Sequence, residues 1–332
     1  MRAAFCRAYG PPEVVTVEEL PSPTVGAGQV KVRIGAASIN FPDVLVLANT
    51  YQISVPTPFV PGSEFAGVVV EVAEDVGAVA VGDRVVGTGI VGAFAEELAV
   101  DATAVQPIPH GVDDLTAAAF GVAHRTAYHV LRSVARVQPG HKLIVLGAGG
   151  GVGLAAVQLG VHLGASVTAV ASTAEKLAVA ASYGARFTID HTGGDLRQQL
   201  REHLPGGADA VIDPVGGDLS EPALRTLHWG GRFVTVGYAS GVIPRIPLNL
   251  VLLKGTQVLG FQFLDFAMNA GAEMRHNETE LTGLLATGQV VPHIGATFPL
   301  ADVAAALRFV ADGRAVGKVV IDLRGWRDPG QR

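Results

Sequence analysis

The chain has 332 residues, 42 of them glycine, with 49% hydrophobic residues, 16% charged residues and a net charge of −6. That apolar content excludes intrinsic disorder, the lack of a G-X-Y period excludes collagen, and the negative charge gives no general attraction to nucleic acid or an anionic membrane. A single cysteine, Cys6, excludes an intrachain disulfide and a zinc cluster built on several thiolates. It reads as a small apolar residue of the first strand. The first residues, MRAAFCRAYGPP, contain Arg2 and Arg7 and no apolar h-region, so a cytoplasmic protein is expected.

In chain order, residues 1 to about 118 are predicted to be mainly β. Segments such as VVTVEEL, QVKVRIGAASI, AGVVVEVA and DRVVGTG alternate apolar and polar residues between Pro and Gly turns. From about Asp113 the pattern becomes helical through TAAAFGVAHRTAYHVLRSVA, which stops before Pro139-Gly140. No Lys, Arg, Asp or Glu then occurs from Leu143 to Ala174. The run is long enough to span a bilayer, but Gly147, Gly149, Gly150, Gly151 and Gly153 break it near its start. LIVL before the glycines reads as a buried parallel strand, GLAAVQLGVHLGA after them as a helix, and VTAVAS as a second strand. Strand, tight turn, helix and strand make a βαβ unit.

Further alternation follows through AEKLAVAASYGA, closed by Gly184, and through FTID, ADAVIDPVGG and GRFVTVGY. The fold class is therefore α/β, with a doubly wound parallel sheet over residues 119–257. Residues 258–332 carry two helices, ETELTGLLATG and LADVAAALRFVADG, and a last strand, GKVVIDL. This tail is too short for a core of its own, so it is expected to complete the β-rich part of residues 1–118. The parallel-sheet domain becomes an insertion in the other domain.

GAGGGVG follows a strand and opens a helix, the setting in which small residues let the backbone approach a pyrophosphate at a helix N-terminus. A literal GxGxxG is absent, while Gly151-Val-Gly153-Leu-Ala-Ala156 fits GxGxxA. About 20 residues further on, where a carboxylate would bind the ribose of NAD, the chain reads Ala171-Ser172-Thr173-Ala174-Glu175-Lys176. Ser172 can donate to a phosphate and Lys176 can supply a cation, which favours NADPH. There is no G-x-S-x-G elbow or paired-carboxylate signal for covalent or hydrolytic catalysis. Among the histidines, His124 and His129 come nearest to a ligand spacing, five apart.

INFPD, PFVPGSEFAGVV, VLGAGGGVGLAAVQL, IDPVGGD, GRFVTVGYASG, IPLNLVLLKG and RAVGKVVI together resemble the zinc-free NADPH:quinone oxidoreductase (zeta-crystallin-like) family of the medium-chain dehydrogenase/reductase superfamily. The resemblance covers nearly the whole chain in order. It implies a Rossmann domain inserted into a GroES-like β-rich catalytic domain, with cofactor and substrate in the cleft between them. Zinc-dependent relatives hold their metal with a Cys near the INFPD position and the His of a GHE triplet. Here the triplet is Gly62-Ser63-Glu64 and INFPD has no cysteine, so no metal ligands are expected. Without a Lewis acid, alcohol oxidation gives way to reduction of an electrophilic acceptor.

The resemblance further assigns Asn40 and Asp43 to the nicotinamide side of the catalytic cleft and Tyr51 to the substrate side. Thr126 matches the threonine beside the nicotinamide; Gly150, Gly151 and Val152 match the pyrophosphate loop; Ser172 and Lys176 match the 2′-phosphate clamp. Asp190-His191 stands where many relatives have Asn-Tyr, and His191 is expected to replace the tyrosine contact. Arg314 and Lys318 are candidates for the same end of the cofactor. The expected function is hydride transfer from NADPH to a quinone. Two alternatives are reduction of an enone or enoyl-CoA, with Arg125, Arg132 and Arg136 as a weak patch for CoA phosphates, and a non-catalytic NADPH-binding role. The apolar run VLGFQF (Val258–Phe263) resembles a last Rossmann strand through which relatives pair, so a homodimer is expected.

Overall fold

The structure is a computed structural model and describes residues 1–325. In chain order it contains β1 (Arg2–Cys6), β2 (Val15–Glu19), β3 (Gln29–Ile39), α1 (Phe41–Leu47), β4 (Glu64–Val72), β5 (Arg84–Thr88), β6 (Glu97–Asp101), β7 (Val105–Pro107) and α2 (Asp114–His129). Next come β8 (Lys142–Leu146), α3 (Gly151–His162), β9 (Ser166–Ala171), α4 (Ala174–Ser182), β10 (Phe187–Asp190), α5 (Leu196–His203), β11 (Ala208–Asp213), α6 (Ser220–Thr226) and β12 (Leu227–Thr235). The remaining elements are α7 (Leu248–Lys254), β13 (Gln257–Gly260), α8 (Phe263–Asn269), α9 (Gly271–Ala286), β14 (Ile294–Pro299), α10 (Val303–Ala311) and β15 (Lys318–Asp322).

Two compact units result. One comprises residues 1–122 with the chain from 291 onward, the other residues 123–290. In the first, a sheet ordered β14-β15-β3-β4-β5-β7 has β6 paired to β3, beside the separate β1-β2 pair. The long strand β3 alternates buried with partly buried or exposed residues before becoming wholly buried at its end. Val32, Ile34, Phe65, Leu307 and Ile321 belong to this unit's core.

The second unit is built on one sheet in the order β10-β9-β8-β11-β12-β13, parallel throughout. Numbered within the unit that is 3-2-1-4-5-6, the order of dinucleotide-binding sheets. Leu143–Leu146 of β8 are fully buried, which explains the missing charges. No helix among the described residues is long and apolar enough to cross a membrane.

The second junction differs from the sequence expectation. Residues 258–290 belong with the parallel sheet, and the chain leaves that unit at 290/291 instead of 257/258. Two contacts hold the segment there: β13 pairs in register with β12, Phe233 opposite Val258, and α9 is tied to α2 by Arg125 with Glu278 and by Tyr128 Oη donating to Glu280 at 2.8 Å. The first junction falls within α2, four residues past the expected 118.

Candidate functional site

In the β-rich unit, pairing β3 antiparallel to both β15 and β4 puts Val319 opposite Ile39 and Phe65 opposite Ala37. Asn40, Glu64 and Lys318 therefore gather at one end of three adjacent strands. Asn40 is extended (φ −117°, ψ 154°), and α1 starts directly after it. Its backbone N–H donates to Asp43 Oδ2 at 2.7 Å, half of a helix capping arrangement. Its side chain faces the charged residues: Lys318 Nζ donates to Asn40 Oδ1 at 2.6 Å, and Asn40 Nδ2 donates to Glu64 Oε2 at 3.0 Å. Lys318 Nζ also meets Glu64 Oε2 at 3.1 Å, and Val122 N–H donates to Glu64 Oε1 at 2.7 Å. A Cβ on Gly121 would lie 2.8 Å from that same oxygen, so only glycine leaves it room.

Asp43 lies in the same cluster without an equivalent set of partners. Its Oδ1 is buried and, among the described residues, accepts no hydrogen bond. Burial pushes its pKa up to about 7, with Glu64 adding to the rise and the Asn40 N–H, Ser63 and Lys318 opposing it. Tyr51 packs against the core, half-buried, and its hydroxyl pKa is raised by burial and then by the charge of Asp43.

In the parallel-sheet unit the glycine turn joins β8 to α3. Gly153 packs against the strand so closely that a Cβ would sit 2.0 Å from the carbonyl oxygen of Gly147. Gly150 is the N-cap of α3 and offers no side-chain cap, while Gly151 and Val152 are partly exposed. The first amide groups of a twelve-residue helix thus lack a side-chain acceptor, which suits a pyrophosphate. The loop after β11 lies over the turn: a Cβ on Gly147 would meet Val215 at 2.5 Å. Asp213 holds that loop, accepting from Val215 N and Gly216 N at 2.8 Å and from Ser220 Oγ at 2.6 Å.

Ser172 follows directly on β9 and is partly exposed. The stem of Lys176 covers Gly149, where an added Cβ would meet three of its carbons within 2.7 Å. Burial lowers the Lys176 pKa, with Glu175 opposing the shift. The His191 N–H donates to Ala171 O at 3.2 Å, which brings His191 beside Ser172 at the strand tip. Thr126 is partly exposed on α2 in this unit. Arg314, in the other unit, is exposed with its guanidinium 4.7 Å from the centre of the Phe309 ring.

Lys318 departs from its expected role. At 3% exposure and bonded to Asn40 and Glu64, its charge is used inside the β-rich unit instead of at the cofactor's phosphate end. Of the three arginines of the CoA patch, Arg125 pairs with Glu278 and Arg132 with Glu280. His124 and His129 go to separate partners, Gln158 and Asn277. Sequence reasoning missed the roles of Glu64 and Asp213. A signal existed for Asp213, because an Asp ahead of Pro-Val-Gly-Gly is suited to capturing turn amides.

A six-stranded dinucleotide-type sheet inserted into a β-rich unit is the architecture of the medium-chain dehydrogenase/reductase superfamily. Residues 26–110 match the "Alcohol dehydrogenase GroES-like domain" family and residues 151–277 the "Zinc-binding dehydrogenase" family. The chain is 34% identical over 325 residues to the mouse (Mus musculus) quinone oxidoreductase-like protein 2, covering 97% of this chain and 92% of that one. The Escherichia coli quinone oxidoreductase complexed with NADPH superposes with a TM-score of 0.89 at 27% identity, over 97% of this chain and 100% of that one. The Thermus thermophilus quinone oxidoreductase, solved also with NADPH, gives 0.84 at 33% identity with the same coverage. The chain belongs to the quinone oxidoreductase-like family of this superfamily.

The name of the second matching family raises the question of zinc, and the donor set does not fit it. Among the described residues no group of three or more His, Cys, Asp and Glu is placed to hold a metal ion. Cys6 is buried in β1 with its Sγ donating to Ala8 O at 3.3 Å. Where Asn40, Ser63 and Glu64 approach one another, the cation is the Lys318 ammonium.

Proposed function

We propose that this protein is a zinc-independent, NADPH-dependent oxidoreductase whose acceptor is a quinone. The observation that carries the reading is the tip of β9, where Ser172 follows directly on the strand, the Lys176 stem covers Gly149 of the glycine turn and the His191 N–H is bonded to Ala171. NADPH, when bound, supplies the hydride. Gly150, Gly151 and Val152 offer amides to its pyrophosphate, Ser172 and Lys176 serve its 2′-phosphate, and Thr126, His191 and Arg314 are further contacts. On the acceptor side, the Asn40 amide is taken up by Lys318 and Glu64, which makes it a connector. Tyr51 is left as the hydroxyl suited to donate to the oxygen of the reduced acceptor.

The acceptor assignment draws support from the quinone oxidoreductase names of the relatives and from a donor set unsuited to alcohol-activating zinc. The reading includes a homodimer formed along β13, a sheet-edge strand with Val258 exposed. Stopped-flow loss of NADPH absorbance on mixing with benzoquinones and naphthoquinones tests the activity. Rapid loss is expected. Faster turnover with a small enoyl-CoA would replace quinone as the acceptor class, and tight NADPH binding without turnover of any acceptor would overturn the catalytic reading.

A further inference from the structure

We propose that Asp43 carries a proton in the resting protein and is the reservoir from which the reduced acceptor is protonated, with Tyr51 as the outlet. The inference rests on the oxidoreductase reading above for its use, but on the geometry of the β-rich unit alone for the proton.

Charge counting comes first. The buried cluster contains two carboxyl groups, Asp43 and Glu64, and one ammonium, Lys318, at 2%, 0% and 3% exposure. Two carboxylates and one ammonium would bury an uncompensated negative charge, which a low-dielectric interior penalises heavily. One carboxyl must therefore hold a proton, and the hydrogen bonds say which. Glu64 has what a carboxylate needs: the Lys318 ammonium and the Asn40 amide on Oε2, the Val122 N–H on Oε1. Asp43 has the Asn40 N–H on Oδ2 and, among the described residues, nothing on Oδ1. The groups facing Asp43 are the Asn40 backbone, Ser63, Lys318 and Glu64, and the desolvation of its site outweighs the stabilisation they give its anion.

The use of the proton follows from stoichiometry. Hydride addition to a quinone puts two electrons and one hydrogen on the acceptor, leaving the hydroquinone one proton short. The Tyr51 O–H breaks as a new O–H forms on the acceptor oxygen. The Asp43 O–H then breaks to restore Tyr51, and water returns a proton to the Asp43 carboxylate. The sum is NADPH, acceptor and one proton giving NADP⁺ and the hydroquinone. Asp43 is too buried to touch the acceptor, so it acts through another group. Of the hydroxyl residues near it, Ser63 is buried, whereas Tyr51, just past α1 and packed against the core cluster to which Val46 and Leu47 of that helix belong, is partly exposed. Tyr51 Oη accepts a long bond from Gln52 Nε2 at 3.5 Å, which leaves its own hydrogen for donation.

The test combines an isotope-edited infrared titration of the protein without nucleotide and the pH profile of quinone reduction, on wild type, Asp43→Asn and Tyr51→Phe. Asn at position 43 keeps an oxygen for the Asn40 N–H. Expected are a protonated-carboxyl band in wild type that fades as pH rises through about 7 and is missing in Asp43→Asn. Also expected is a wild-type rate that falls over the same range, against a rate in Asp43→Asn about 10²-fold lower at neutral pH and flat above it. Tyr51→Phe should keep the band and lose the rate limb. Absence of the band in wild type overturns the proton on Asp43. A band with an unchanged pH profile in Asp43→Asn overturns the reservoir role. Failure of every acceptor in wild type, with the band present, counts against the oxidoreductase reading and the role drawn from it while the protonated carboxyl stands.

Discussion

Lys318 brings a full charge to a position where its side chain is 3% exposed, against a glutamate that is not exposed at all. Removing one partner of such a pair leaves the other desolvated and alone, a loss of about 3–5 kcal/mol. Lys318→Met should therefore lower the unfolding free energy by that order in urea titrations, and Lys318→Met with Glu64→Gln should recover a substantial part, because the orphaned charge is gone. Equal losses in the single and double variants would mean the pair is not coupled. Asp43 acts in the opposite sense. Its folded-state pKa, about 7, lies above its ordinary 3.8, so its neutral form favours folding. That contribution is complete below about pH 4 and is lost as pH rises through about 7. Asp43→Asn should flatten that part of the stability-against-pH curve and gain on wild type above neutrality; parallel curves would contradict the buried, neutral carboxyl. Asn40 and Asp43 stood out because the short segment INFPD contains both, while Tyr51 was singled out only by the family resemblance. The buried role of Lys318 was not legible, since its partner Glu64 is 254 positions away and local sequence distinguishes no buried lysine from a surface one.

The strand-turn-helix from β8 to α3 was legible as an element because three local patterns agree: a buried apolar run, glycines, then helical spacing. The structure adds how little room the turn has. With Gly147 O only 2.0 Å from the place of a Gly153 Cβ, Gly153→Ala must push α3 away from β8 and misalign the helix N-terminus. NADPH affinity measured by fluorescence titration should fall at least about tenfold, with a lower Tm. Lys176 supports the same turn through its stem over Gly149. Lys176→Ala should raise the Kd for NADPH and leave NADH nearly unchanged, by about tenfold if one charged hydrogen bond to the 2′-phosphate is lost. Equal effects on both nucleotides would assign Lys176 to packing of the turn instead. The loop held by Asp213 left only a weak trace in residue types, an Asp ahead of Pro-Val-Gly-Gly, because two of its three partners are backbone amides.

At the scale of the whole chain, the alternation of strands and helices revealed the inserted parallel sheet, but not where the insertion ends. Residues 258–290 contain one four-residue strand and then helices, a texture that fits either unit; tertiary contacts such as Arg125 with Glu278 decide it. The corrected boundary makes β13 the last strand of the parallel sheet, paired on one side to β12 and, among the described residues, to no other strand. On and near β12 and β13, Trp229, Leu248, Leu252, Leu253 and Val258 are exposed, at 81%, 79%, 81%, 75% and 45%. Single exposed apolar residues are ordinary, but five on β12, β13 and the α7 that precedes β13 are costly to leave in water. A second copy of the chain offers the same strand in the opposite sense, so a two-fold axis would pair the edges antiparallel and cover the leucines of α7. Replacing Val258 by Pro removes a backbone donor from the strand, and Leu252→Lys sets a charge in the apolar surface. Each should move the mass measured by light scattering at micromolar concentration from twice that of the chain to that of a single chain, with NADPH binding retained. A wild-type protein that sediments as a monomer under the same conditions would show that the edge is protected by its own brevity instead.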